Sequence, residues 1–269
     1  MNILEQIIEH KKQEVTRRKE ITPVIDLKEF DFFEQECESL KESLSYKDST
    51  GIIAEFKRRS PSKGIINDTA EIFDVLDAYN MKGASGISIL TDEDYFGGSL
   101  NDIYDHRAAL MTPVLRKDFI IDEYQIIESK AIGADVILLI AACLTPKEVK
   151  RLARFAKSLG LEVLLELHDE KELEHICNET ELIGINNRSL KTFDVNIEHS
   201  LKMAQKIPPE KIKIAESGIS SVDDIVLFKE NGFKGFLIGE LFMKEADPAI
   251  AFAEFVNALQ LMPPHSEGF

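Results

Sequence analysis

The sequence has no tryptophan and only three cysteines, Cys37, Cys143 and Cys177, which are scattered and form no C-x-x-C pair. That spacing excludes a disulfide framework and a cysteine-built zinc site, and it reads as reduced thiols in a cytosolic protein. No apolar run approaches the ~20 residues of a membrane span. The opening Met1-Asn2-Ile3-Leu4-Glu5-Gln6 lacks the basic segment and apolar run of a secretory leader. Positive charge is also scarce. Lys and Arg number 32 against 48 Asp and Glu, a formal net charge of −16. A non-specific nucleic-acid binder needs a basic footprint, and an anionic bilayer repels an acidic surface, so neither is an expected partner. No G-x-G-x-x-G follows the first apolar strand, so the dinucleotide-binding pattern is missing.

What is present is a repeat. The 269 residues, 44% hydrophobic, are enough for one large core. From Gly51 onward short apolar runs alternate with charged helical segments. Strands are expected near 51–56, 85–90, 113–117, 135–140, 162–167, 182–186, 212–216 and 235–238. Helices are expected near 69–81, 123–132, 146–159, 170–177, 196–205, 221–231 and 246–260. Gly133, Gly160 and Gly232 stand where helices end, and Thr145, Asp169 and Ser221 where helices begin. Eight alternations imply an α/β fold with a parallel sheet closed into a (β/α)8 TIM barrel. Before it, residues 2–19 read as an amphipathic helix with Ile3, Leu4, Ile7, Ile8 and Val15 inward and Lys11, Lys12, Arg17 and Lys19 in solvent. A further short helical region is expected between Asp26 and Leu44, with Phe30, Phe32 and Phe33 packing on the main body. The chain thus divides into an N-terminal helical extension over 1–48, a catalytic barrel over 49–262 and a tail over 263–269.

Barrel enzymes place their chemistry at the carboxyl ends of the strands. Polar residues of unusual type collect there: Glu55 and Lys57, Lys117, Glu166, Asn186 and Arg188, and Glu216. A lone strand-end charge is an ordinary solvated residue or salt-bridge partner. Several on one rim are harder to explain that way, because crowded charges lose hydration and persist when they pair or serve chemistry. Ser217-Gly218 and Gly239, after the seventh and eighth strands, let backbone N–H groups approach an anion, and barrels build phosphate sites from these two loops. The loop Ser60-Pro61-Ser62-Lys63-Gly64 adds further donors. His10, His106, His175 and His199 show no ligand spacing, and His168 with Asp169 makes no metal site. His168, two positions beyond Glu166, shares its side of the strand as a supporting residue. The apolar Phe96, Phe119, Leu138, Ile140 and Leu190 are core, or walls for a ring-bearing substrate.

Glu55-Phe56-Lys57-Arg58-Arg59-Ser60-Pro61-Ser62 resembles the indole-3-glycerol phosphate synthase family. So do Ser88-Ile89-Leu90-Thr91-Asp92, Tyr95-Phe96-Gly97-Gly98-Ser99, Leu115-Arg116-Lys117-Asp118-Phe119, Leu164-Leu165-Glu166, Gly184-Ile185-Asn186-Asn187-Arg188, Ala215-Glu216-Ser217-Gly218-Ile219 and Leu237-Ile238-Gly239-Glu240. The resemblance runs in order from about residue 50 to 245.

The resemblance implies a tryptophan-pathway lyase that needs no metal or organic cofactor. Its substrate would be the phosphorylated small molecule 1-(2-carboxyphenylamino)-1-deoxyribulose 5-phosphate, which undergoes ring closure, decarboxylation and dehydration. By family position Lys117 would be the general acid, with Lys57 and Glu166 as acid and base of dehydration. Glu55 would orient Lys57, and Asn186 and Glu216 would hold substrate hydroxyls or the lysine heads. Arg188 would meet the substrate carboxylate, with Ser217 and Leu237 among the substrate contacts. Ser60, Gly218, Gly239 and Glu240 would bind phosphate. A working acid lysine favours a lowered pKa; Lys57 and Arg188 push that way and Glu55 pushes back. Two departures stand out: Ser189 replaces an acidic residue common after Asn-Asn-Arg, and the ring-contacting tryptophan that some members carry in the extension is missing. Partnership with other tryptophan-pathway enzymes would be non-covalent. Two rival readings are a phosphoribosyl-amine isomerase, whose usual Asp or Cys pair is not seen here, and a silent barrel that only binds a phosphorylated metabolite.

Overall fold

The computed structural model describes residues 3–189 and 194–262, so the expected tail over 263–269 lies outside the described residues. Among these, eight parallel strands close into a barrel: β1 (Ile52–Phe56), β2 (Gly86–Leu90), β3 (Val114–Lys117), β4 (Val136–Ile140), β5 (Glu162–Leu167), β6 (Leu182–Asn186), β7 (Ile212–Glu216) and β8 (Phe233–Ile238). Each pairs with its neighbours in sequence, and β8 returns to β1 through Ile52 opposite Phe236. Every expected strand is recovered, β8 two residues longer at its start.

The barrel's interior follows from the two-residue period of a strand. Ile53, Leu115, Val136, Leu138, Ile140, Leu164, Leu182, Ile212, Ile214 and Leu237 point inward and pack as one cluster. The alternate residues, such as Ile52, Ala54, Ile87, Ile137, Leu165 and Ile183, pack outward in a second, larger cluster shared with the helices.

The helices are α1 (Ile3–Ile21), α2 (Val24–Leu27), α3 (Leu40–Ser45), α4 (Ile72–Met81), α5 (Glu93–Phe96), α6 (Asn101–Tyr104), α7 (Glu123–Ala131), α8 (Pro146–Ser158), α9 (Ile197–Ala204), α10 (Val222–Glu230), α11 (Glu240–Met243) and α12 (Pro248–Gln260). Thr145 and Ser221 cap α8 and α10 with reciprocal side-chain bonds. Asp169 does the same for Glu170–His175, but this segment is a 3-10 helix rather than the expected α-helix over 170–177. The chain turns at once toward β6, where the Thr180 hydroxyl bonds Cys177 N and O at 3.0 Å, so only a short tight helix fits. The start of α4 moves from 69 to Ile72 because the Asn67 side chain binds Thr69 N and Ala70 N.

The extension departs most from expectation. The single helical region between Asp26 and Leu44 is two helices, α2 and α3, joined by turns. Phe33 in those turns packs with Val15, Leu27, Tyr124 and Ala131. Phe30 and Phe32 each meet the Tyr104 ring edge-on, at 5.5 Å. Lys11, expected in solvent, is 1% exposed. It lies one turn from both Ile7 and Val15, the buried residues of α1, so the helix presents all three on one face. Lys11 is tolerated there because carboxylates meet it.

Helix α3 closes the amino-terminal end of the barrel. Leu40 and Leu44 join the interior cluster. A methyl group on Gly86 would meet Leu40 Cδ1 at 2.7 Å, so β2 begins with glycine where the plug presses closest. Ser39 Oγ and Lys41 N both donate to Glu162 at the foot of β5, at 2.5 and 3.0 Å. Leu40 is 0% exposed, so Leu40→Ala leaves a cavity under the barrel. It should destabilise the fold by about 2–5 kcal/mol, read as a lower urea midpoint with an unchanged slope.

Candidate active site

The inward positions change character along each strand. They are apolar at the closed end and polar at the open end. On β1 the inward series is Ile53, Glu55 and then Lys57 just past the strand. On β3 it is Leu115 and Lys117; on β5, Leu164 and Glu166. On β6 it is Leu182, Gly184 and Asn186; on β7, Ile212, Ile214 and Glu216. Glycine at 184 is required by its neighbour, because an added Cβ would lie 2.0 Å from Glu216 Oε1.

These residues meet. Lys117 Nζ lies 3.1 Å from Glu166 Oε2 and 3.7 Å from Glu216 Oε2. Lys57 Nζ donates to Glu55 Oε1 at 2.7 Å. Asn186 Nδ2 donates to Glu166 Oε1 at 3.0 Å, and His168 Nε2 lies 3.0 Å from the same oxygen. Glu55, Glu166 and Glu216 are all at most 3% exposed. Burial opposes the charge on Lys117, yet Glu166, Glu216 and Glu55 together override it and push its pKa above the ordinary lysine value. The sequence left the direction of this balance open; the carboxylates decide it, and Lys117 rests as an ammonium. Burial also opposes the Glu166 charge, but Lys117, His168 and Asn186 hold that carboxyl well below the usual range. Glu216 goes the other way: burial and the neighbouring Glu166 charge push it well above the usual range, against the pull of Lys117.

One cavity at this mouth is lined by Glu55, Lys57, Leu90, Asp92, Phe96, Lys117, Asp118, Phe119, Leu138 and Ile140. The rings of Phe96 and Phe119 stand 6.1 Å apart as one wall. Leu237 sits deeper, 6% exposed in the interior cluster beside Leu138 and Ile140. Leu190 lies outside the described residues.

The expected phosphate-binding residues lie after β1, β7 and β8. Ser217 has φ 65°, the one non-glycine left-handed backbone among the described residues, and Gly218 follows at φ 73°. Asn187 Nδ2 ties this turn down by donating to Ser217 O at 2.7 Å. A Cβ on Gly218 would meet Val195 Cγ1 at 2.3 Å, and one on Gly239 would meet Glu55 Oε1 at 2.8 Å. Gly239 precedes α11, which begins at Glu240. Arg188 is not a free arm: its Nη2 lies 3.4 Å from Glu240 Oε2, while Glu240 Oε1 lies 3.5 Å from Lys63 Nζ. Ser60 sits in a two-residue antiparallel ribbon, Arg59–Ser60 against Gly64–Ile65, that folds the first loop back over the rim.

Several residues at the site were not assigned from sequence. Ser88 is fully buried on β2 and its hydroxyl donates to Glu55 Oε2 at 3.4 Å. Its inward register, two residues after Gly86, was a readable signal. Asp92 and Asp118 line the cavity and bind Lys11, at 2.8 and 3.0 Å. No local pattern announces that pairing, because more than 80 residues separate the partners. Among the described residues no group of three or more His, Cys, Asp or Glu could hold a metal ion, and no helix is long and apolar enough to cross a membrane.

Paired ammonium and carboxylate groups over a ring-walled cavity, beside two tight turns, define a TIM-barrel enzyme of acid–base chemistry. Comparison with known proteins gives the family. A sequence profile described as indole-3-glycerol phosphate synthase matches residues 4–255. Indole-3-glycerol phosphate synthase of Bacteroides thetaiotaomicron is 46% identical over 259 residues, covering 96% of this chain and 99% of that protein. The protein of the same name from Bordetella pertussis is 39% identical over 259 residues, covering 95% and 99%. Among solved structures, a variant tryptophan synthase α-subunit from Pyrococcus furiosus superposes with a TM-score of 0.60 at 14% identity, covering 79% of this chain and 98% of that one, a likeness of fold alone. The chain belongs to the indole-3-glycerol phosphate synthase family, and its activity is that decarboxylating lyase step of tryptophan biosynthesis.

The raised Glu216 carboxyl has a measurable signature. Above its ordinary value of 4.5 the folded protein holds a proton there that the unfolded chain has lost, so this contribution to stability falls as pH rises. Glu166, shifted down, keeps its contribution in that range and loses it only on acidification. Glu216→Gln cannot ionise. Its urea midpoint should therefore gain on the wild type as pH is raised from 5 to 8, and a constant difference would contradict the shift.

Proposed function

We propose that the Lys117–Glu166 contact, beside the Glu55–Lys57 pair, carries the acid–base steps that convert 1-(2-carboxyphenylamino)-1-deoxyribulose 5-phosphate to indole-3-glycerol phosphate. The single observation that carries this reading is that two ammonium heads and three carboxyls from four different strands converge on one mouth. The ring carbon bearing the carboxylate attacks the ribulose ketone, and the new bond leaves negative charge on the former ketone oxygen. Lys117 donates a proton there. The carboxylate departs as carbon dioxide, and its bonding electrons restore the aromatic ring. An apolar wall favours this step because it solvates the ionic carboxylate poorly. Phe96, Phe119, Leu138 and Ile140 supply that wall. Lys57 then protonates the departing hydroxyl while Glu166 takes the anilino proton, and a proton of the former ribulose C1 methylene passes to the nitrogen, which forms the second ring double bond of the indole and restores its N–H. Across the cycle the lysines give two protons and Glu166 gains one. One proton is drawn from water, matching the carboxylate lost as a neutral molecule.

The remaining roles follow contacts. Glu55 orients Lys57, and Asn186 and Glu216 hold Glu166 and Lys117 or the substrate hydroxyls. Arg188 exchanges Glu240 for the substrate carboxylate, with Ser217 beside it. Ser60 and the backbone N–H groups of Gly218, Gly239 and Glu240 take the phosphate; glycine at 218 and 239 permits close approach. The extension over 1–48 and the barrel over 49–262 act as one catalytic unit, placed in the cytoplasm as its biosynthetic role requires. Contacts with other tryptophan-pathway enzymes are non-covalent.

Mixing the protein with the carboxyphenylamino ribulose phosphate and following indole fluorescence tests the reading. Lys117→Ala should abolish ring closure or slow it by about 10²–10⁴-fold or more, while inhibition by inorganic phosphate changes far less. Normal turnover in that variant would refute the assignment.

A further inference from the structure

The most heavily paired lysine among the described residues lies outside the catalytic strands. Lys11 Nζ lies 2.7 Å from Glu14 Oε2, 2.8 Å from Asp92 Oδ2 and 3.0 Å from Asp118 Oδ1. Burial opposes its charge, yet Asp118, Asp92 and Glu14 hold it protonated; Lys11 and Arg116 likewise hold Asp118 ionised against burial. Removing charges from water is unfavourable, so a buried ion pair is a poor way to gain stability alone. Its position suggests another use. Asp92 and Asp118 both line the catalytic cavity, and each accepts from a backbone N–H at or next to one of the two ring residues. Asp92 Oδ1 accepts from Tyr95 N at 2.8 Å and so caps α5, whose last residue is Phe96. Asp118 Oδ1 accepts from Phe119 N at 2.8 Å, next to Lys117. The other oxygen of Asp118 is taken by the Thr91 hydroxyl and the Arg116 guanidinium, at 2.6 and 3.0 Å. Lys11 therefore binds the oxygen that accepts from Phe119 N, and the partner oxygen of the carboxyl that caps the helix ending in Phe96.

We propose that Lys11 is a positioning residue for substrate binding: through Asp92 and Asp118 it fixes Phe96 and Phe119 as one wall and makes the N-terminal helix part of the site. It also neutralises carboxylates that would otherwise repel the substrate's own carboxylate from the cavity. The inference rests on reading Phe96 and Phe119 as the ring wall. It names a contribution of the extension that needs no tryptophan and no direct contact with the substrate.

Lys11→Met keeps the length of the stem and removes the charge. It should raise KM for the carboxyphenylamino ribulose phosphate about tenfold with kcat nearly unchanged, the pattern of lost uniform binding. Inhibition by inorganic phosphate should stay as in the wild type, because the phosphate end does not touch Lys11. Asp92→Ala, which removes the cap on Tyr95 N together with the oxygen that Lys11 binds, should also raise KM, and it decides the matter if Lys11→Met does not fold. Folded variants with a lower Tm but wild-type KM would overturn the proposal and leave Lys11 a stabilising residue only. Phe96→Ala and Phe119→Ala test the wall separately. If they raise KM and the Lys11 and Asp92 variants do not, the latch fails and the wall stands. If they leave KM unchanged, the wall fails and the latch with it.

Discussion

A strand in a closed barrel has only two directions in which to point a side chain, and this constraint organises the molecule. Inward positions form a single column along each strand. Leu40 and Leu44 seal the lower end, so those positions must be apolar there and can turn polar only toward the open mouth. The step from Leu115 to Lys117, from Leu164 to Glu166 and from Ile214 to Glu216 is the same two-residue advance each time. Charges placed that way are crowded before any chemistry is considered. Two ammonium heads face three carboxyls, and the imbalance falls on Glu216, which is pushed toward its neutral form while Glu166 stays ionised. A carboxyl of raised proton affinity, one of lowered affinity and an ammonium are thus held in contact, the kind of separation on which general acid–base chemistry draws.

The parts of the structure legible in the sequence are those governed by local rules. Strand period placed Glu55, Lys117, Glu166, Asn186 and Glu216 at the mouth, because orientation within a strand depends only on parity. Thr145, Asp169 and Ser221 announced helix starts through side-chain chemistry that acts within three residues. Gly133, Gly160 and Gly232 announced helix ends, and all three have left-handed backbones.

What stayed hidden depends on partners distant in sequence. Lysine counts as polar in any reading of helix amphipathicity, so Lys11 was assigned to solvent, although its spacing from Ile7 and Val15 already put it on the buried face. Only the fold brings Asp92 and Asp118 to it. Arg188 looked like an available cation because Glu240 is 52 residues away in the chain. The sign of the Lys117 shift depended on three carboxyls from three other strands. A helix as short as α5 carries no period to detect, yet its capping aspartate is what connects the extension to a ring at the cavity.

Net charge poses a final question, because a chain of −16 must attract a substrate with a carboxylate and a phosphate. The described cations do not win by excess: Lys11, Lys57, Lys117 and Arg188 each already face a carboxylate. Positive potential without a counter-charge comes from backbone N–H groups, which carry no net charge and need no partner acid. The left-handed Ser217 and Gly218 present such groups at a turn that Asn187 holds in place. At the ring end the device differs: Asp92 and Asp118, which line the cavity beside the apolar wall, are ion-paired to Lys11 and Arg116. On the proposed reading, neutralisation at one end and oriented peptide dipoles at the other make the cavity receptive to an anion.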